Sequence, residues 1–199
     1  MQAITPFQSS IFLTNIEESI LKDIEIKLLN MFNITDKFKY QVFNLEKNKE
    51  FNELSNNIKQ ELNKTFKYLK IKYDDIEINN MWANYSKDMY YHSKHIHPNS
   101  FFSGIIYIKA SENAAPTSFY NPLTESSMIQ PDFEEDYEYV PELTTTYDLY
   151  AKAGNMVLFP SNLPHGVNHT PADNQERITL AFTAMPKGII STTTQEISF

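Results

Sequence analysis

Cysteine is absent from this 199-residue chain, which excludes disulfides, thiolate metal sites and cysteine nucleophiles. A metal site would therefore have to use histidine, carboxylate or water ligands. Glycine is scarce as well, at 4 residues, so the location of each glycine in the fold is informative. Basic residues are too few for a nucleic-acid-binding face, because the net charge is −8 and the pI is near 5.1. We expect no nucleic-acid partner.

Long apolar runs are also lacking. The opening segment, MQAITPFQSS, has neither the basic region nor the apolar core of a signal peptide. No run approaches the roughly 18 residues that a membrane-spanning helix needs. These absences predict a soluble, cytoplasmic protein that does not bind a membrane.

Two stretches in the first third of the chain have the apolar spacing of amphipathic helices. The first follows the segment Thr14–Glu17, which matches a capping box, and repeats apolar residues every three or four positions: Ile16, Ile20, Ile24, Leu28 and Met31. The second has the same spacing at Phe51, Leu54, Ile58, Leu62, Phe66 and Leu69. We expect both helices to pack on one face of a sheet, with a partner-binding surface as the alternative.

From about residue 71 the pattern changes to short strands and turns. Strands are predicted at 75–85, 89–97, 102–110, 117–120, 143–150, 155–160, 165–169 and 176–186. This number of short strands predicts a sandwich, barrel or jelly roll. We expect one domain over 1–199, with helical support in 1–70 and a β core in 71–199. The acidic loop at 121–142 is either a lid or a solvated excursion.

Histidines cluster just ahead of an apolar strand, in the segment HSKHIHPNSFFSGIIYI (92–108). His95 and His97 are two residues apart, so they share a face if the strand is extended. Two imidazoles on one face are half of a plausible metal site. His92 lies three residues before His95, and on a regular strand it would face the opposite side.

The other half of the site is predicted in GNMVLFPSNLPHGVNH (154–169). Gly154 is expected to make a turn, and His165 to begin a strand after a second tight turn. Arg177 follows, and it alternates with apolar residues so that it shares a face with Thr179. An arginine inside a small β-barrel requires an anion, because an uncompensated buried charge is costly.

In their order and spacing, the motifs HIHPNSFFSGIIYI, GNMVLFPSNLPHGV and ERITLAF resemble those of iron(II)- and 2-oxoglutarate-dependent dioxygenases. They are most similar to the prolyl-hydroxylase-like branch, whose motifs recur in bacterial and phage proteins. The opening segment ITPFQSSIF is also similar to the start of that branch. The resemblance implies a mainly β (α+β) double-stranded β-helix, or jelly roll, with helices on one sheet. It further implies Fe(II) as cofactor and 2-oxoglutarate as co-substrate.

The resemblance also implies roles for individual residues. His95 and His165 match the first and the distal metal ligands, and His97 stands where the family has a carboxylate. Arg177 matches the residue that grips the remote carboxylate of 2-oxoglutarate. Residues expected to assist in co-substrate binding are Thr179, Tyr107 and Asn84.

The histidine at position 97 leaves alternatives open. A three-histidine iron site has one more unit of positive charge than a two-histidine, one-carboxylate site. In a shifted register, His97 would be the first ligand and Asn99 or water would occupy the next position. Ser100, Ser103 and His97 also suggest a serine hydrolase, but the chain has no G-x-S-x-G elbow.

Three functions follow from the sequence. The first is an Fe(II)/2-oxoglutarate oxygenase that hydroxylates a C–H bond of a small-molecule or peptidyl substrate and releases succinate and CO2. The second is a cupin-like metalloenzyme with three histidine ligands that uses no keto-acid. The third is a non-catalytic jelly roll with a structural or interaction role. A homodimer is the default expectation for such a domain, because dimers are the commonest soluble oligomers.

Overall fold

Antiparallel β-strands make up most of the protein, and the mainly β prediction is confirmed. The computed structural model describes residues 9–32, 39–87, 91–112, 114–123, 144–150, 152–168, 176–191 and 196–198. The strands of this part of the chain are β1 (Phe12–Asn15), β2 (Lys39–Val42), β3 (Asp75–Lys87), β4 (His92–His95), β5 (Phe102–Ala110), β6 (Thr117–Tyr120), β7 (Thr146–Leu149), β8 (Asn155–Pro160), β9 (His165–Val167), β10 (Glu176–Lys187), β11 (Ile189–Ser191) and β12 (Glu196–Ser198).

Ten of these strands form two sheets, and β11 pairs with β12 as a separate ribbon. The larger sheet has the order β1-β8-β5-β10-β3-β2, and the smaller has the order β4-β9-β6-β7. From β3 to β10 the chain passes back and forth between the two sheets. This is the strand order of a jelly roll, in which β1 and β2 extend the larger sheet at its two edges.

Two helices flank the larger sheet. Helix α1 spans Glu18–Met31, and helix α2 spans Asn52–Tyr68 after two short 3-10 turns at Leu45–Lys47 and Lys49–Phe51. Their buried residues form one core with the sheet: Ile20, Ile24, Leu28, Leu54, Ile58, Leu62 and Phe66. Burying side chains of this kind stabilises the fold by about 1.5–3 kcal/mol each.

The predicted capping box at Thr14–Glu17 is wrong. Thr14 lies in β1, and Glu17 is the residue that precedes α1, without a capping hydrogen bond from its side chain. The Thr14 hydroxyl instead donates to a carboxylate oxygen of Glu61 on α2, at 3.1 Å. A contact between residues so far apart in sequence could not be read from a four-residue motif.

Side chains of β10 alternate between two environments, as its sequence predicts. Ile178, Leu180 and Phe182 pack in the core beneath the helices, whereas Arg177 and Thr179 face the space between the sheets. Gly104 on β5 makes this packing possible, since a Cβ atom there would lie 2.2 Å from the Phe182 ring. The helix side of the larger sheet therefore carries most of the core, and the opposite side is left for a polar pocket.

Some predicted strand bounds need correction. The strand predicted at 89–97 is confined to β4, so His97 lies beyond its end, where its backbone N–H donates to the Ser161 carbonyl at 2.9 Å. The strands predicted at 143–150 and 165–169 are shorter, as β7 and β9. Most of the predicted acidic loop at 121–142 lies outside the described residues, because 124–143 are not described. No helix in the described ranges is long and apolar enough to cross a membrane.

Candidate metal centre

Three histidine rings converge between the two sheets. One ring nitrogen from each of His95, His97 and His165 lies within 4.8 Å of the others. The ring centroids are 4.4 Å apart for His95 and His165, and 5.0 Å apart for each of the other two pairs. The structure thus brings together the three residues that the sequence predicts, and the alternative register with Asn99 does not describe this cluster.

Backbone carbonyls set the tautomer of two of these rings. His95 Nδ1 lies 2.8 Å from the Ser93 oxygen, and His165 Nδ1 lies 3.0 Å from the Leu163 oxygen. Because a carbonyl oxygen only accepts hydrogen bonds, each Nδ1 carries the proton. The lone pair of Nε2 is then available in both rings, which is the usual arrangement of a metal-binding histidine.

The environment also keeps two of the imidazoles, those of His97 and His165, uncharged. Burial, with a smaller contribution from the neighbouring imidazoles, lowers the pKa of His165 to about 3 and that of His97 to about 4. A neutral imidazole is the form that binds a metal. At neutral pH these two residues therefore offer nitrogen donors without having to lose a proton.

Gly166 allows the two histidine-bearing strands to approach each other. It lies on β9 next to His165, and a Cβ atom at this position would be 2.8 Å from the His92 carbonyl oxygen on β4. The close pairing of β4 with β9 places His95 directly opposite His165. A larger residue at 166 would separate these rings.

A pocket that is open to solvent surrounds the cluster. Aromatic and imidazole rings, small residues and a few polar groups line it: Trp82, Asn84, His92, His95, His97, Ile105, Thr117, His165, Gly166, Val167, Arg177, Thr179 and Ala181. None of these described lining residues is acidic, and Arg177 carries a fixed positive charge. The pocket is therefore suited to an anion.

Arg177 is held in the pocket wall by a polar contact that the sequence did not reveal. Its guanidinium donates to Thr117 Oγ1 at 2.9 Å, and the Tyr107 hydroxyl donates to the same oxygen at 2.8 Å. The guanidinium carbon also lies 5.5 Å from the centre of the Tyr107 ring. Thr117 thus joins the two residues, although only its own contacts in the folded chain identify it.

Tyr107 does not line the pocket itself. Its side chain is fully buried and packs between the sheets with Phe119, Val157 and Phe159. Burial raises the pKa of its hydroxyl, and the nearby Arg177 offsets part of that effect. The phenol is therefore neutral, and it reaches the pocket through Thr117.

Asn84 and Thr179 lie opposite each other on adjacent strands, β3 and β10, and both line the pocket. Thr179 in turn lies opposite Tyr107 on β5. The four residues predicted to bind the co-substrate, including Arg177, are therefore grouped on the inner face of the larger sheet.

His92 contradicts the prediction that it faces away from the site. Its ring stacks on that of His95, with centroids 4.3 Å apart and an angle of 23° between the rings, and it lines the pocket. The reason is an irregularity in β4: His92 pairs with Val167 and His95 with His165, so the four residues 92–95 on β4 match the three residues 165–167 on β9. Such a bulge places residues three apart on one face.

The donor set fits a divalent transition metal such as Fe(II). Three imidazoles would occupy part of a coordination sphere, and the pocket leaves room for further ligands. No carboxylate belongs to this cluster among the described residues. The charge of a bound metal would therefore remain unneutralised by the protein and would favour an anionic ligand.

Comparison with known proteins identifies the family. A family model described as "Putative 2OG-Fe(II) oxygenase" matches residues 80–183, just over half of the chain, and spans all three histidines. No curated protein matches the sequence significantly.

Solved structures share the fold. HygX from Streptomyces hygroscopicus with iron bound has a TM-score of 0.63 at 8% identity, covering 89% of this chain and 82% of that one. HygX with nickel, 2-oxoglutarate and hygromycin B bound has a TM-score of 0.59 at 11% identity, with 89% and 83% covered. A prolyl-4-hydroxylase from Pseudomonas putida has a TM-score of 0.59 at 12% identity, with 90% and 94% covered.

A weaker match involves an oxidoreductase of the 2OG-Fe(II) oxygenase family from Burkholderia pseudomallei. At 13% identity and a TM-score of 0.41, it covers 55% of this chain, which spans only 43% of that one. The match to the family model includes the histidine cluster and Arg177. The chain belongs to the 2OG-Fe(II) oxygenase family, a group of oxidoreductases that depend on Fe(II) and 2-oxoglutarate.

Proposed function

We propose that this protein hydroxylates an unactivated C–H bond, with Fe(II) held by His95, His97 and His165. The observation that carries the proposal is the convergence of three imidazoles in a pocket that also contains a buried arginine. Bound Fe(II) supplies the oxygen chemistry: O2 and 2-oxoglutarate yield succinate and CO2, and the second oxygen atom enters the C–H bond as a hydroxyl group.

The protein residues bind and orient the reactants. Arg177 binds the remote carboxylate of 2-oxoglutarate through charge-assisted hydrogen bonds, and Thr179 lies on the same face of β10 to assist. Thr117, on the opposite sheet, accepts a hydrogen bond from the guanidinium, and Tyr107 holds Thr117 in place by donating to the same oxygen. The carbonyls of Ser93 and Leu163 keep the rings of His95 and His165 in the orientation that directs Nε2 to the metal.

The prime substrate is a small molecule or a peptidyl group. Proteins of the same fold include HygX, solved with hygromycin B, and a prolyl-4-hydroxylase. In this chain Trp82, His92 and Val167 line the pocket beside the histidines, and none of these side chains carries a fixed charge. Contacts to the substrate would therefore be mainly aromatic and apolar, with hydrogen bonds from the imidazole.

Anaerobic reconstitution tests the proposal. Protein loaded with Fe(II) and then with 2-oxoglutarate should develop visible charge-transfer absorption, and after admission of O2 it should release succinate even without a prime substrate. Arg177→Ala should abolish succinate release while retaining iron. Protein that binds no iron stoichiometrically, or that releases no succinate in the presence of iron and O2, would contradict the proposal.

A metalloenzyme that needs no keto-acid remains the second candidate, because His97 stands in the place of the family's carboxylate. In that case Arg177 would bind the substrate or have a structural role. The two candidates differ in one measurement: O2 consumption that is independent of 2-oxoglutarate and survives Arg177→Ala favours the second. A non-catalytic jelly roll would show neither iron binding nor O2 consumption.

A further inference from the structure

Gln41 lies on β2, which is outside the eight strands of the jelly roll, β3 to β10. Strand β2 pairs with β3 at the edge of the larger sheet, which places Gln41 directly opposite Asn84. Directly opposite residues of an antiparallel pair share a face, so Gln41 lies on the pocket side. Its Nε2 donates to Asn84 Oδ1 at 2.7 Å.

This hydrogen bond fixes the direction of the Asn84 amide. A carboxamide has an acceptor oxygen on one side and a donor NH2 group on the other. With its oxygen bound to Gln41, Asn84 directs its NH2 group away from β2, toward β10 and the pocket that it lines. Asn84 is only 5% exposed, so its amide has little access to bulk water as a substitute partner.

Asn84 stands between the two ends of the pocket. On β10 it faces Thr179, with Arg177 two residues away in one direction and Ala181 two residues away in the other. The Ala181 end is the histidine end, since Ala181 lies opposite Trp82, whose ring is 5.4 Å from that of His97. A dicarboxylate that reaches from the metal to Arg177 therefore passes the Asn84 amide.

We infer that Gln41 is a positioning residue for 2-oxoglutarate, acting through Asn84. By holding the amide oxygen, it presents a hydrogen-bond donor to an anionic co-substrate, where an acceptor would repel it. The inference rests on the proposed function, because it takes 2-oxoglutarate as the ligand. β2 thereby contributes to co-substrate affinity, although it lies outside the strands that carry the histidines and the arginine.

The substitution Gln41→Glu inverts the polarity of this contact with almost no change in shape. An ionised carboxylate only accepts hydrogen bonds, so the Asn84 amide must turn its NH2 group toward β2 and its oxygen toward the pocket. The dissociation constant for 2-oxoglutarate should rise by roughly tenfold or more. Gln41→Ala leaves the amide free to choose either orientation, and the rise should be about two- to threefold.

Binding is measured on Mn(II)-loaded protein through the fluorescence of Trp82, the single tryptophan, which lines the pocket. Gln60→Glu is the matched control, since it makes the same chemical change on the exposed face of α2 and should leave binding unchanged. In an Asn84→Ala background, Gln41→Glu should lose most of its effect on the dissociation constant for 2-oxoglutarate. The effect that remains measures the direct repulsion between the introduced carboxylate and the co-substrate.

The binding measurements test the proposed function and the positioning role of Gln41 separately. If wild-type protein does not bind 2-oxoglutarate, the proposed function fails. If wild-type protein binds it and Gln41→Glu binds it equally well, the positioning role of Gln41 is wrong while the proposed function stands. If Gln41→Glu raised the dissociation constant for 2-oxoglutarate equally in the Asn84→Ala background, the positioning role of Gln41 would also be wrong, because the effect would then be charge repulsion alone. Gln41 is exposed, so neither of its variants threatens the fold.

Discussion

The charge of the histidine cluster sets it apart from a site with two histidines and one carboxylate. His95, His97 and His165 are all nitrogen donors, and the lowered pKa values of His97 and His165 keep those two neutral. A bound divalent cation would keep its full charge of two, instead of sharing one unit with a protein carboxylate. The site should therefore attract a dianionic co-substrate more strongly.

The variants His97→Asp and His97→Asn test this consequence. They have nearly the same shape and differ by one unit of charge, so their comparison isolates the electrostatic effect. We expect 2-oxoglutarate to bind the Fe(II)-loaded Asp variant more weakly than the Asn variant, by roughly tenfold, as a charge a few ångströms away implies. Anaerobic titration measures both constants, and equal values would show that charge at position 97 does not control affinity.

Thr117 is a second residue with a specific expected effect. Its Oγ1 accepts hydrogen bonds from buried Tyr107 and Arg177. Thr117→Val keeps the shape and removes the acceptor, so it should lower the free energy of unfolding by about 1–3 kcal/mol and weaken 2-oxoglutarate binding. Thr117→Ser retains the oxygen, so its free energy of unfolding and its affinity for 2-oxoglutarate should stay close to those of the wild-type protein. Denaturant unfolding and co-substrate titration check the pair.

The residues of the site differ in how far the sequence could reveal them. The three histidines and Arg177 lie in motifs with characteristic spacing, and these motifs predict them. The prediction for His92 is wrong because it assumes a regular strand, whereas the bulge in β4 depends on pairing with β9. No local pattern indicates Gln41, since its partner Asn84 is 43 residues away and only sheet pairing brings them together.

Among the elements, the pair formed by β4 and β9 determines the metal geometry. Both strands are short, at 4 and 3 residues, so few backbone hydrogen bonds define their separation. Gly166 is a point of close approach, because a Cβ atom there would lie 2.8 Å from the His92 oxygen and 3.1 Å from the Lys94 nitrogen. These neighbours are backbone atoms, which cannot rotate away as a side chain can.

Gly166→Ala should therefore displace β4 and separate His95 from His165. We expect metal affinity to fall by roughly tenfold or more, since ligand positions must be held to about half an ångström. Gly154→Ala is the control. Its φ of 88° makes the substitution costly to stability, but the added Cβ meets only Leu21, at 3.7 Å, and metal affinity should not change. Mn(II) titration of both variants checks this, and equal losses would contradict the role of Gly166.

The strands that carry a clear alternation were predicted best. In β10, the apolar residues that face the helices alternate with Arg177, Thr179 and Thr183, so both the strand and its orientation follow from the sequence. The sequence does not predict the edge strand β2, because the alternation of polar and apolar residues in Lys39–Val42 is only four residues long, and pairing with β3 holds the strand. Local sequence thus defines strands that are buried on both faces better than strands at an edge.

At the scale of the whole molecule, the larger sheet separates stability from function. Its helix side carries the main apolar core, and its other side carries the polar pocket. Substitutions in that core should lower stability without altering the metal site, because the core side chains lie on the opposite face of the larger sheet from the pocket. The histidines, in contrast, should affect stability mainly through the metal that they bind.

Metal binding should consequently raise the melting temperature by an amount that depends on the histidines and not on the core. At Mn(II) concentrations of about 100 times the dissociation constant, binding adds about 2.7 kcal/mol to the free energy of unfolding. For a chain of this size, each kcal/mol raises the melting temperature by about 2–4 °C, so we expect a rise of about 5–10 °C.

Two variants separate the contributions of the metal and the core. Leu62 lies on α2 and is fully buried, so Leu62→Ala should lower the free energy of unfolding by about 2–5 kcal/mol and still show the Mn(II)-dependent rise in melting temperature. His165→Ala should lose that rise, because a cluster of two imidazoles binds the metal far more weakly. Differential scanning calorimetry with and without Mn(II) measures all three proteins. If His165→Ala kept the full rise, the metal would bind elsewhere, and the assignment of the three histidines as its ligands would be wrong.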